Sequence, residues 1–282
     1  MNKRPLDPGM HVDLAGALTY GEYLKLDQLL TSQLTRSGHH DELLFVIQHQ
    51  TSELWMKLMI HELTAVLEHV RADHLEAAFK ILSRVGHIQR MLFDQWGVLE
   101  TLTPSEYLQF RHVLGPASGF QSFQYRALEF LLGNKDDQAL KPFRHTPELH
   151  DWLARLLQTP SVYDEFLRYL SRHGHTLPKE VLERDFAQPY QRHPQVVAVF
   201  KEIYEQTDRY WDEYEMCEKL VDVEERFQLW RFRHMKTVQR IIGFKTGTGG
   251  SSGVAFLKKA MDYSFFPELW DVRTELTPPR QG

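Results

Sequence analysis

A chain of 282 residues, 42% hydrophobic and 25% charged, can bury one large core or two small ones and has the composition of an ordinary soluble globular protein. Its formal net charge of −5 argues against a nucleic-acid partner held by a large phosphate-binding surface. A single cysteine, Cys217, excludes intramolecular disulfides, zinc ribbons, iron–sulfur clusters and a Cys-x-x-Cys-His haem attachment.

The N-terminal segment lacks the apolar stretch of a signal peptide, and no charge-free run approaches the roughly 18 apolar residues of a membrane span. The expected location is the cytoplasm, with no membrane partner. Thr19 and Glu22 form a capping box that starts a short amphipathic helix over Tyr20, Tyr23 and Leu24. The segment His39-His40-Asp41-Glu42 reads as a helix cap with first-turn acids. From Asp41 to about Val70, apolar residues recur at three and four, which predicts a helix. Arg71-Ala72-Asp73 breaks it, and Leu75 to Leu102 predicts a second. Thr103, Pro104 and Glu106 start a third, which stops before the breaker loop Gly115-Pro116-Ala117-Ser118-Gly119. Phe120 to Leu132 predicts a fourth, ended by Gly133.

Residues 135 to about 190 read as a helical insertion, with pieces at Glu148–Leu157 and Ser161–Leu170 whose apolar stripes are too short to close a core alone. Pro194 to about Ile242 is strongly helical, as one bent helix or two. The Gly-rich loop 243–253 follows, then a helix at about Val254–Met261 and an irregular tail with Pro267, Pro278 and Pro279. No alternating strands and no fixed repeat are found. The expected fold class is all-α: a single domain over 1–282, a large helical bundle with a helical insertion at about 135–190.

Four features could carry chemistry. Val223, Phe227, Trp230, His234, Val238 and Ile241 follow spacings of 4, 3, 4, 4 and 3, so one apolar face holds a lone imidazole. Such a residue is either a core histidine bonded to a carbonyl or an axial metal ligand. Phe45 and His49 lie one turn apart where an apolar helix turns polar at Gln48, Gln50, Thr51 and Ser52. That patch is either an inter-helix hydrogen-bond network or a ligand-facing wall. Tyr107 and Arg111 share a face; the arginine either packs on the surface or grips a carboxylate. The Gly-rich loop has no Gly-Lys-Ser/Thr ending and follows a helix, so it is neither a P-loop nor a dinucleotide fingerprint. A mobile lid or an anion nest suits it better. Glu-x-x-His pairs and His-Glu-x-x-His are absent, so a non-haem helical metal site is poorly supported.

The stretches FVIQHQTSELWMKL, QFRHVLGPASGFQSFQYR and RFRHMKTVQRIIGFKTGTGGSSG, with LTYGEYLKLDQLL and YSFFPELWDVR near the ends, resemble the tryptophan 2,3-dioxygenase family. The resemblance runs from about Leu18 to Arg273 and is weakest over 135–190. It implies an all-helical cytoplasmic homotetramer with one haem b per subunit. It implies O2 addition across the indole C2–C3 bond of L-tryptophan to give N-formyl-L-kynurenine, the first step of tryptophan degradation by the kynurenine pathway. In that likeness His234 is the axial haem ligand and Trp96 lies near the haem. His49 is the catalytic candidate and meets the indole N–H; Phe45 packs on the indole. Arg111, beside Tyr107, clamps the carboxylate. Thr248 contacts the amino-acid group, while Ser118 and Gly119 line the haem edge and substrate. Tyr20, Tyr23 and Leu24 resemble residues contributed by a neighbouring subunit. An imidazole removes an indole proton only with difficulty, so His49 is read as orienting. The alternative is a haem-binding sensor or carrier with an indole pocket and no turnover.

Overall fold

The computed structural model describes residues 2–277, and no β-strand occurs among them. The helices, in chain order, are α1 (Tyr20–Leu24), α2 (Leu26–Leu29), α3 (Glu42–Arg71), α4 (Leu75–Asp94), α5 (Trp96–Leu99), α6 (Pro104–Phe110) and α7 (Phe123–Leu132). Next come α8 (Pro147–Gln158), α9 (Val162–Arg172), α10 (Lys179–Leu182), α11 (Pro194–Glu205), α12 (Trp211–Ile242), α13 (Val254–Lys259) and α14 (Pro267–Glu275). None of the described helices is long and apolar enough to cross a membrane.

Two long helices set the frame. Helix α3 buries Met56, Met59, Leu63, Val66 and Val70, and α12 buries Met216, Leu220, Val223 and Phe227. Helix α4 packs against both through Ala78, Leu82, Val85, Ile88 and Leu92. These stripes recur every three to four residues, as an amphipathic helix requires. Each Leu or Val fully withdrawn from water contributes about 1.5–3 kcal/mol, so the three-helix stack is the main source of rigidity.

The stretch after Asn134 is tied into the same frame. Val162, Phe166, Leu167 and Leu170 of α9 join the main core, while Leu153 and Leu157 of α8 meet Ala127 and Phe130 of α7 in a smaller cluster. The carboxylate of Glu268, fully buried, accepts from Tyr163 Oη (2.8 Å), Tyr190 Oη (2.9 Å) and the His193 amide (2.9 Å). A second buried carboxylate, Glu224 on α12, accepts from the amides of Phe265 (3.0 Å) and Phe266 (2.9 Å), which fixes the chain entering α14.

The structure departs from the sequence expectations at several points. The helix expected over Leu75–Leu102 stops at Asp94 and restarts at Trp96, with Gln95 as the joint. Beyond Phe110 the third helix tightens into a 3-10 turn, Arg111–Leu114, and Gly119–Gln121 is a 3-10 turn ahead of α7. Residues 194–242 hold two helices, α11 and α12. The tail expected to be irregular contains α14, because Pro267 occupies the first helical turn, where no amide donor is needed; Pro278 and Pro279 lie outside the described residues. Asp41 makes no side-chain cap at α3. Glu42 instead turns back, accepting from the amides of Arg36 (2.7 Å) and Ser37 (2.6 Å).

Candidate functional site

The site forms where α3 and α12 face each other near α5 and α6. His49 sits on α3, and the Phe45 ring centroid lies 4.2 Å from its own. Phe45 is held in turn by Tyr107 (5.9 Å) and Phe110 (5.7 Å) of α6, so a wall of rings lines this side. His49 Nδ1 lies 2.7 Å from the Phe45 carbonyl. A carbonyl only accepts, so Nδ1 carries the proton and Nε2 keeps a free lone pair. Burial lowers the His49 pKa, which favours this neutral form.

His234 faces it from α12. Its ring stacks on Trp96 of α5, with centroids 4.8 Å apart and planes 11° apart, and Trp230 lies one turn away at 5.8 Å. Burial, with a smaller contribution from His49, pulls its pKa down to about 4. The residue nevertheless keeps some accessible surface. None of the described residues hydrogen-bonds the His234 imidazole, although a core histidine would have a carbonyl partner. The indole N–H groups of Trp96 and Trp230 and the Gln48 amide nitrogen are also buried without partners among the described residues.

Two arginines fix the rotation of α12 about this histidine. Arg231, almost fully buried, donates to Tyr125 Oη (3.0 Å), to Glu129 (2.9 Å) on α7 and to the carbonyls of Ala260 (3.2 Å) and Tyr263 (3.4 Å). Arg233 donates to the Glu100 carboxylate (3.0 and 3.1 Å) and to the Phe93 carbonyl (3.1 Å), and Thr237 donates to the same Glu100 (3.1 Å). The polar patch on α3 is divided between two tasks. Ser52 accepts from Gln95 Nε2 (2.7 Å) and Thr51 donates to Gln95 Oε1 (3.1 Å), which locks the joint before Trp96, while His49 stays outside this network and packs against Phe45.

The second half of the site is made of loops. Arg111, one turn after Tyr107, opens the 3-10 turn and donates to the Thr246 carbonyl of the Gly-rich loop. Thr248 Oγ1 donates to the Ala117 carbonyl (2.6 Å), and Ser118 lies against Gly249. Leu108, Arg111, His112, Gly115, Thr246, Gly247 and Thr248 line a cavity of about 430 Å³, within the range of small-molecule sites. Gly119 follows Ser118 at the start of the 3-10 turn beside this loop. Burial raises the Tyr107 pKa, so the phenol stays neutral next to the Arg111 cation.

Phe45, His49, Trp96, Tyr107, Arg111, Ser118, Thr248 and His234 are thus brought to one end of the bundle. Tyr20, Tyr23 and Leu24 are not: α1 packs on α2, and all three side chains are exposed. Trp230, which the spacing put on the His234 face, is the wall residue expected there, whereas sequence reading missed Gln95, Glu100, Glu129, Arg231 and Arg233 as supports. The only local signal was the charge of Arg231 and Arg233 so close to His234.

A family model described as Tryptophan 2,3-dioxygenase matches residues 7–276. The tryptophan 2,3-dioxygenase of Myxococcus xanthus (strain DK1622) is 69% identical over 281 residues, covering 99% of this chain and 97% of that protein. That of Serratia proteamaculans (strain 568) is 62% identical over 278 residues, covering 98% and 99%. That of Xanthomonas oryzae pv. oryzae (strain PXO99A) is 57% identical over 286 residues, covering 100% and 96%.

Proposed function

The chain belongs to the tryptophan 2,3-dioxygenase family, and from that premise we propose that the cleft between His49 and His234 binds haem b and L-tryptophan together. The activity is that of a dioxygenase: both atoms of O2 enter the indole C2–C3 bond of L-tryptophan, giving N-formyl-L-kynurenine in the first step of tryptophan degradation.

The observation that carries the site assignment is His234. A neutral imidazole on a rigid helix, stacked on Trp96, without a hydrogen-bond partner among the described residues and still partly accessible, has the donor chemistry of an iron ligand. The unpartnered Trp96 and Trp230 indole N–H groups fit the same reading, since buried donors call for an acceptor that the described side chains do not supply. Haem fits these residues. His234 would hold its iron, and Trp96 and Trp230 would flank it. When bound, the ferrous haem supplies the binding and activation of O2.

The chain's own residues place the substrate. Phe45 offers a flat apolar face to the indole. His49 Nε2 accepts the indole N–H and thereby sets which edge of the ring meets O2. Burial lowers its pKa and favours the neutral ring, so it meets the indole as a hydrogen-bond acceptor. Arg111 grips the carboxylate with its planar fork, Tyr107 packing beside it. Ser118, Gly119 and Thr248 close over the amino-acid end, and the Gly-rich loop excludes water from the cleft.

We also assign the chain to a single all-α domain and to a cytoplasmic homotetramer. Leu18, Tyr20, Tyr23, Leu30 and Leu34 all lie exposed along the N-terminal arm, a run of apolar surface suited to a neighbouring subunit. In that assembly Tyr20, Tyr23 and Leu24 reach a partner's cleft.

The test is an absorption spectrum of the dithionite-reduced protein with and without L-tryptophan, followed on admitting air. A Soret band that shifts with L-tryptophan and persists while formylkynurenine absorbance grows in on admitting air is expected. His234→Ala should keep the helical circular-dichroism signal and lose the Soret band; a normal haem content in that variant rejects His234 as the ligand.

A further inference from the structure

The Gly-rich loop holds five glycines, and four answer to the loop's own construction. Gly243, Gly250 and Gly253 take φ of 61°, 83° and 61°, a left-handed region that favours glycine. A Cβ on Gly253 would also stand 2.6 Å from the Lys245 carbonyl oxygen, at the neck where the loop closes on itself. A Cβ on Gly247 would stand 2.9 Å from Ser251 Oγ, across the turn joined by the Gly247 amide and the Ser251 carbonyl (3.1 Å). The loop is therefore a built flap between two glycine corners.

Gly249 is different. Its φ is not in the left-handed region, so φ does not single out glycine there. What forbids one lies outside the flap. A Cβ there would stand 2.7 Å from Ser118 Cβ and 3.0 Å from Ser118 Oγ. On either side of this contact, Thr248 donates to the Ala117 carbonyl and Arg111 donates to the Thr246 carbonyl. Residues 246–249 thus dock on the 111–118 segment at three points, and the third works by having no side chain at all.

We propose that Gly249 is a positioning residue that sets how far the flap closes. Seating its bare Cα on Ser118 brings Thr248 and Arg111 to the amino-acid end of the substrate. A methyl at 249 holds the flap away from Ser118 by the width of that group, which loosens the clamp and leaves the haem side untouched. The inference rests on the cleft being the tryptophan site.

The experiment compares the haem-loaded wild type with Gly249→Ala, Ser118→Gly and the double variant Ser118→Gly/Gly249→Ala. Gly249→Ala should raise KM for L-tryptophan about tenfold or more, change kcat less than about threefold, and keep the haem spectrum and Tm. In the Ser118→Gly background the obstructing Cβ is gone, so adding Gly249→Ala should change KM less than about threefold. Trypsin reads flap position independently: with each protein saturated by L-tryptophan, the exposed Lys245–Thr246 bond should be protected in the wild type and stay cleavable in Gly249→Ala. An unchanged KM in Gly249→Ala, or the same KM penalty in both backgrounds, overturns the proposal. A wild type that does not turn over L-tryptophan instead overturns the reading on which the proposal rests.

Discussion

His49→Ala separates an orienting histidine from a catalytic base, and the two readings differ in magnitude. The carbonyl of Phe45 fixes the proton on Nδ1, and burial keeps the ring neutral, so Nε2 offers one neutral acceptor to the indole N–H. A neutral hydrogen bond contributes about 0.5–1.5 kcal/mol, or roughly a two- to thirteenfold change in kcat/KM. The variant keeps the indole slot, because Phe45 remains held by Tyr107 and Phe110 after its contact with His49 is lost. A general base is worth about 10²–10⁴ in rate. Steady-state kinetics on His49→Ala with equal haem content should therefore show a loss of no more than about thirteenfold, with a smaller loss for His49→Gln, which restores a side-chain acceptor. A loss beyond a hundredfold in kcat, with haem and Tm intact, would refute the orienting role and return His49 to proton transfer.

Arg111→Ala should raise KM for L-tryptophan by roughly 13- to 160-fold, the equivalent of about 1.5–3 kcal/mol for a charged hydrogen bond; unchanged kinetics would remove Arg111 from the clamp. Glu129→Gln should cost more stability than Arg231→Met in urea unfolding. The first leaves the buried Arg231 guanidinium without a counter-charge beside the partly exposed Arg126, about 3–5 kcal/mol. The second leaves Glu129 paired with Arg126 and Asn134, about 1–3 kcal/mol, and the reverse order would contradict the network. Acid should destabilise the haem-free protein through His234. Its folded pKa of about 4 lies below the unfolded value of about 6.5, so the unfolded chain binds the proton first, and stability falls as pH drops from about 6.5 to about 4. His234→Ala should flatten Tm against pH over that window; an identical slope in both proteins would deny the burial of this ring.

Much of this was legible because it is written in local chemistry. The capping boxes at Thr19 and Thr103 fall where the sequence placed them, since Ser/Thr and Glu three residues apart satisfy each other's amides regardless of tertiary context. The lone imidazole on the stripe of α12 was visible from spacing alone. Other features depend on partners far along the chain. Arg231 and Glu129 are 102 residues apart, and Arg233 and Glu100 are 133 apart. Periodicity within α12 marks their positions as polar and no more. The joint at Gln95 hides for the same reason: its amide is fixed by Thr51 and Ser52, and the residues around it have ordinary helix propensity. The tail with Pro267, expected to be irregular, holds a helix because Pro267 serves as a first-turn residue. Gly249 could be read as one more flexible glycine until Ser118 was placed beside it.

The division of the site between rigid and adjustable parts has a mechanistic consequence. His49 and His234 stand on α3 and α12, helices that each bury an apolar stripe in the main core and are cross-braced by Arg231, Arg233 and Gln95. Arg111, Ser118 and Thr248 stand on a 3-10 turn, a breaker loop and a flap, which meet one another through few hydrogen bonds, all on the exposed side of the molecule. The groups that face iron and indole are thus held at fixed separation, where small displacements would cost rate. The groups that grip the amino-acid end can open to admit substrate and release product. Variants in the helical half should therefore act on haem content and kcat, and variants in the loop half on KM. A loop variant such as Arg111→Ala that lowered kcat in full proportion while leaving KM unchanged would mean that closure of the flap, and not the helical frame, sets the geometry of the reacting atoms.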